Sequence, residues 1–137
     1  MMTIAYYSMT GNIRRFLNAV DMDIPLFEVT EQTKTAELDR PFVFVTPTYG
    51  FGEVPDIVAQ FIEHNKDNIV GVASSGNRNW GQNFAKSGEH LSEQFGVPLI
   101  LKFELHGNDK ERALFRKTIE RVGSIYENFG REKIQSH

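Results

Sequence analysis

Residues 4–20 read Ile4-Ala5-Tyr6-Tyr7-Ser8-Met9-Thr10-Gly11-Asn12-Ile13-Arg14-Arg15-Phe16-Leu17-Asn18-Ala19-Val20, and the change of period inside this stretch decides the fold. Ile4 to Tyr7 is a short apolar run, the pattern of a strand buried on both faces. From Ile13 the apolar residues recur at Phe16, Leu17 and Val20, the i, i+3, i+4, i+7 spacing of one helix face. A strand that feeds a helix through a five-residue polar loop is the first half of a parallel crossover unit.

The alternation repeats along the chain. Apolar runs suited to buried strands occur at Phe42 to Thr46, Ile69 to Ala73 and Leu99 to Phe103, and a more mixed one at Pro25 to Val29, whose proline places it at a sheet edge. Helical stripes lie between them. Pro55 stands in a first turn ahead of Ile57, Val58, Phe61 and Ile62, and Phe84, Gly88, Leu91 and Phe95 mark a third helix in which Gly88 permits close packing. Asn108 with Glu111 forms a capping-box pattern ahead of Phe115, Ile119, Val122, Tyr126 and Phe129, a final helix that closes the domain. Residues 18–41 supply no good helix on either side of the Pro25 strand. The pattern predicts an α/β fold, one domain over 1–137, with a doubly wound five-stranded parallel sheet covered by helices on both faces.

Composition narrows the function. The 137 residues are 40% hydrophobic and 24% charged, as in ordinary globular proteins. There is no Cys, so redox chemistry would need a bound cofactor rather than a thiol. Fifteen Lys and Arg against eighteen Asp and Glu leave a net charge of −3 with no concentrated basic face, which argues against nucleic acid. No window approaches the ~20 apolar residues of a spanning helix, and the start carries no basic, apolar leader pattern, so the expectation is a cytoplasmic protein without membrane affinity. His64, His90, His106 and His137 lie on separate elements with no ligand spacing, and no metal site is assigned.

In doubly wound sheets ligands bind beyond the carboxyl ends of the strands, which directs attention to three loops. Ser8-Met9-Thr10-Gly11-Asn12-Ile13 opens a helix, so its free amides and the helix dipole converge where a phosphate fits; a plain N-cap is the alternative. It has neither the Lys-Ser/Thr of a Walker loop nor Gly-x-Gly-x-x-Gly. Thr46-Pro47-Thr48-Tyr49-Gly50-Phe51-Gly52-Glu53 mixes glycines with aromatics, either as a loop whose peptide can turn over beside a flavin or as a flexible surface turn. Ser74-Ser75-Gly76-Asn77-Arg78-Asn79-Trp80-Gly81 carries the single Trp, a stacking platform or a side chain folded back onto the core. Together the three suit flavin mononucleotide, with the phosphate deep and the ring between loops. Arg14 and Arg15 either assist the phosphate or form a solvated helix face.

These residues resemble the flavodoxin fold, whose phosphate loop runs Ser/Thr-x-Thr-Gly-x-Thr; Ser8, Thr10 and Gly11 match, and Ile13 replaces the last hydroxyl. More specifically, Tyr7 to Phe16, Gly50 to Pro55, Ser75 to Gly81, Lys102 to Gly107 and the ending Gly130 to Lys133 resemble the NrdI family, the flavodoxin-like activators of class Ib ribonucleotide reductase. The resemblance implies a noncovalent FMN, reduced by a flavodoxin reductase or equivalent. It further implies that the reduced flavin reacts with molecular oxygen to give superoxide or a peroxide-level oxidant, which builds a dimanganese-tyrosyl radical centre in the small reductase subunit. By carry-over Ser8, Met9, Thr10, Gly11, Asn12 and Ile13 hold the phosphate end. Pro47, Thr48, Tyr49, Gly50, Phe51 and Gly52 line one side of the ring, and Ser75, Gly76, Asn77, Asn79, Trp80 and Gly81 the other. No residue is assigned as nucleophile or general base. Arg78 is expected either beside the ring or facing the partner. A general electron-carrying flavodoxin and a flavin-free interaction module are the rival readings.

Overall fold

The computed structural model describes residues 2–50 and 52–135, with side chains described as far as residue 126. Along the chain run β1 (Thr3–Tyr6), α1 (Asn12–Val20), β2 (Leu26–Glu28), β3 (Phe42–Pro47), α2 (Asp56–His64), β4 (Ile69–Gly76), a 3-10 turn (Arg78–Asn83), α3 (Lys86–Phe95), β5 (Leu99–Glu104) and α4 (Asp109–Gln135). The strands form one parallel sheet in the order β2-β1-β3-β4-β5. This is the doubly wound arrangement read from the sequence, with the strand order reversing between β1 and β3.

Side-chain alternation explains why the central strands read as unbroken apolar runs. Phe42 and Phe44 of β3 enter one core with Ala5, Ile57, Val58, Phe61, Ile62 and Leu91, so α2 and α3 cover that face. Val43 and Val45 enter the other with Ile4, Ile13, Phe16, Phe103, Phe115 and Ile119, which α1 and α4 cover. There Phe16 stacks on Phe103 with centroids 3.9 Å apart, and Phe115 meets Phe16 edge-on at 5.1 Å. Gly88 lets α3 lie against the sheet: a Cβ on it would fall 2.3 Å from Ser74 Oγ. Nearby, Lys102 of β5 hydrogen-bonds Glu89 of α3 and holds its carboxyl below the usual carboxylate range.

The edge strand sits where its proline suggested, with Pro25 just ahead of β2 and its carbonyl accepting Ile4 N–H at 3.0 Å. The connection from β2 to β3 crosses without a helix. Asn65, 3% exposed, organises it: its amide donates to Ala36 O and Phe61 O, and its oxygen accepts Leu38 N–H at 2.7 Å. Several boundaries differ from the sequence pattern: β1 runs Thr3–Tyr6 rather than Ile4 to Tyr7, the edge strand is only Leu26–Glu28, β5 reaches Glu104, and three further ends bear on the site. β3 extends to Pro47, and β4 continues through Ser74, Ser75 and Gly76, because Pro47 pairs with Ser75 and Gly76 pairs with Glu104. The polar Ser-Ser-Gly segment belongs to a strand because it is flanked on both sides. The third helix begins at Lys86, not at Phe84, because the 3-10 turn intervenes.

The capping box at α4 forms as the spacing predicts, with Glu111 N–H donating to Asn108 Oδ1 at 2.8 Å and Asn108 N–H to Glu111 Oε1 at 3.1 Å. Phe115 and Ile119 are fully buried, but Tyr126 is 37% exposed, so the apolar stripe leaves the core in its last described turns. The Phe129 side chain and the Gly130 to Lys133 side chains lie outside the described residues. Among the described residues no helix is long and apolar enough to cross a membrane, and no group of three or more His, Asp or Glu is gathered where a metal ion would sit.

Candidate cofactor site

The carboxyl ends of β1, β3, β4 and β5 open into one cavity of about 320 Å³, placed at the reversal of strand order. Its size falls at the lower end of the range for ligand pockets.

The loop after β1 contributes Met9, Thr10, Asn12 and Ile13 to the wall. Gly11, at φ 86°, occupies the N-cap position of α1 and brings no capping side chain, and no acidic residue lies in the first turn. With a glycine at the N-cap, the remaining first-turn amides and the positive end of the helix dipole are the donor set an anion needs. Ser8 does not reach the wall; its Oγ accepts Arg14 N–H at 3.4 Å. Arg15 turns back toward the loop, donating to Asn12 Oδ1 at 3.3 Å, with Nη2 4.0 Å from where a Cβ on Gly11 would stand. Arg14 instead bonds Glu28 on the edge strand.

From the end of β3 come Pro47, Thr48, Tyr49 and Gly50. Tyr49 and Glu53 pair through two backbone bonds of 3.2 and 2.8 Å, closing a small loop with Gly50 at φ 57° and Gly52 at φ 92°. The base of the loop is tied to α3: the hydroxyls of Thr48 and buried Ser87 are 2.6 Å apart, and Ser87 Oγ donates to Pro47 O at 2.9 Å. Gly52 lies off the wall, packed where a Cβ would come within 3.1 Å of Lys86 Cβ. Phe51 lies outside the described residues.

β4 and the turn after it add Ser75, Gly76, Asn77 and Trp80. Asn77 caps the 3-10 turn, its Oδ1 accepting Asn79 N–H at 2.9 Å, and this sets Trp80 at the cavity with 47% of its surface exposed. Trp80 is therefore not folded into the core. Asn79 and Gly81 do not reach the wall. Arg78 does not line the cavity; its half-exposed side chain is held by carboxylates. Its guanidinium lies 3.4 Å from Glu111 Oε2, 3.8 Å from Glu104 Oε1 and 4.5 Å above the Phe84 ring, and its N–H donates to Glu104 Oε2 at 2.9 Å.

Two wall residues escaped the sequence reading, Asn83 and Leu105. Asn83 ends the 3-10 turn and carried a legible signal as a further polar residue after Trp80. Leu105 reads locally as the tail of an apolar strand, and its one signal was its place in the Lys102 to Gly107 block of the resemblance. Among the described residues the wall is uncharged: hydroxyls, amides and exposed apolar surfaces of Met9, Tyr49, Trp80 and Leu105 form it, with no Asp, Glu, Lys or Arg. Such a surface suits an amphipathic planar ring, and the glycine-led helix end beside it suits a phosphate.

A family model described as NrdI flavodoxin-like matches residues 4–117. Among solved structures, a short-chain flavodoxin associated with a bacterial microcompartment is similar with a TM-score of 0.69 and 21% identity, over 91% of this chain and 99% of that one. Oxidised flavodoxin 1 from Bacillus cereus gives 0.64 at 16% identity, over 92% and 97%. A Fusobacterium nucleatum flavodoxin bound to flavin mononucleotide gives 0.53 at 16% identity, over 90% and 96%. At these identities the likeness is one of fold.

Proposed function

Because the chain belongs to the NrdI flavodoxin-like family, we propose that it binds FMN and delivers a flavin-derived oxidant to the small, dimanganese subunit of a class Ib ribonucleotide reductase. The observation that carries the flavin reading is the uncharged cavity at the strand-order reversal, with a helix N-terminus led by Gly11 among its borders and an exposed Trp among its walls. When bound and reduced, the flavin supplies the electrons that turn oxygen into superoxide or peroxide.

The protein's own share is binding and orientation. Thr10, Asn12 and Ile13, shaped by Ser8 and Gly11, would hold the phosphate, with Arg15 adding positive charge near Gly11. Tyr49 and Gly50 would take one side of the ring, and Asn77 and Trp80 the other. The backbone pairing of Tyr49 with Glu53 and the tie of the loop base to Ser87 would hold this side of the ring, where the glycine-rich loop could offer it either a C=O or an N–H. Exclusion of water falls to the apolar rim.

Two measurements test this. Titrating the apoprotein with FMN should quench Trp80 fluorescence and give a yellow protein; no quenching would leave a flavin-free module. The Mn(II)-loaded small reductase subunit, given oxygen, should then develop a tyrosyl radical in electron paramagnetic resonance only when the reduced flavoprotein is present. A protein that binds FMN and reduces unrelated acceptors yet yields no radical would be a general electron carrier.

A further inference from the structure

Leu105 has a backbone conformation that its side chain disfavours. It stands at φ 53°, in the left-handed region, at the first central position of the turn Glu104–Gly107, which is closed by Gly107 N–H to Glu104 O at 2.8 Å. His106, the second central residue, is not among the positive-φ residues. Turns with positive φ at the first central position alone ordinarily take glycine there. A γ-branched side chain in that place is strained, and strain of this kind persists only where the surroundings impose it.

The surroundings do impose it. Leu105 N–H donates to Gly76 O at 3.0 Å, and Leu105 O accepts Ser75 Oγ at 2.9 Å, so both polar backbone groups are bound to the end of β4. The side chain gains little within the protein: it is 41% exposed, belongs to neither core and lies on the cavity wall. Packing does not explain the leucine, whereas a ligand in the cavity would.

We propose that Leu105 is a cofactor-contacting residue that covers the apolar part of the flavin ring, presented by a turn strained for that purpose. This rests on the flavin reading above and extends it to a strand end that the phosphate and glycine loops do not include. The contact is with the ring, so it favours riboflavin and FMN alike.

The test uses the full-length apoprotein as wild type, Leu105→Ala and Leu105→Gly, titrated with FMN and with riboflavin by flavin fluorescence, together with thermal unfolding without flavin. Alanine keeps the strain and removes the apolar body; glycine removes both. Losing most of a partly exposed leucine contact should weaken both flavins about tenfold in both variants. Leu105→Gly should unfold no lower than Leu105→Ala, which shows that lost affinity is not lost folding. Unchanged affinity in both variants, or a loss confined to FMN, overturns the assignment while leaving flavin binding intact. A wild-type protein that binds neither flavin overturns the parent reading and this one with it.

Discussion

Gly88 and Gly123 are both helical glycines, and an alanine at each should act in opposite directions. At Gly88 the added Cβ would meet Ser74 Oγ at 2.3 Å and Leu99 Cδ1 at 2.7 Å. Ser74 cannot turn aside cheaply, because it is fully buried and its hydroxyl donates to Ala85 O at 2.6 Å. Overpacking costs about 1–3 kcal/mol and exceeds the ~1 kcal/mol that alanine gains in a helix. At Gly123 the nearest atom is Met2 Cε at 3.8 Å, an ordinary contact, so only the propensity gain remains. Urea denaturation should therefore place Gly88→Ala below wild type and Gly123→Ala up to ~1 kcal/mol above it. Equal midpoints for the two variants would mean that α3 is not seated as closely on the sheet as the structure has it.

The element that bears Trp80 is a short 3-10 segment kinked at Gly81 with no buried residue of its own, so it depends on outside ties. Glu104 at the end of β5 accepts Arg78 N–H and faces its guanidinium, while Glu111 joins Arg78 to the capping box of α4 and accepts Glu104 N–H at 3.3 Å. Three elements thus meet on one arginine. Glu104→Ala should free the turn, making Trp80 more accessible to acrylamide in the apoprotein and weakening FMN several-fold, a loss of about 1–2 kcal/mol for a charge-assisted bond. Glu104→Gln keeps an oxygen for Arg78 N–H and should restore most of both readouts. Trp80 quenching identical in all three proteins would show that the turn holds itself.

Across the whole molecule the charges nearly balance, and those beside the site are paired. Net charge is −3, the cavity wall has no carboxylate among the described residues, and the nearby Glu104 and Glu111 face Arg78. A negative charge developing on a bound, reduced flavin would meet little repulsion, and distant surface carboxylates are screened beyond about 8 Å at physiological salt. A potentiometric titration should accordingly find the second reduction step easier than in a carboxylate-ringed flavodoxin, with weak dependence on ionic strength. A very low second potential would contradict this electrostatic account.

Local pattern alone determined the alternation of strand and helix, the parallel sheet with helices on both faces, the edge position of β2 and the capping box of α4. Each is written in side-chain spacing because burial on one or two faces imposes a period on neighbouring residues. The phosphate-type loop, the glycine loop and Trp80 were legible too, since turn residues and a lone polar-flanked Trp stand out from those periods. Only the tertiary structure decided that Ser75 and Gly76 end a strand, that Asn65 secures the helix-free crossing, that Arg78 is bound to two carboxylates, and that Asn83 and Leu105 complete the cavity. Those features depend on the register of strands distant in sequence: where a strand stops is set by the hydrogen bonds its neighbours offer, and a cavity wall belongs to whichever chain segments that register brings together.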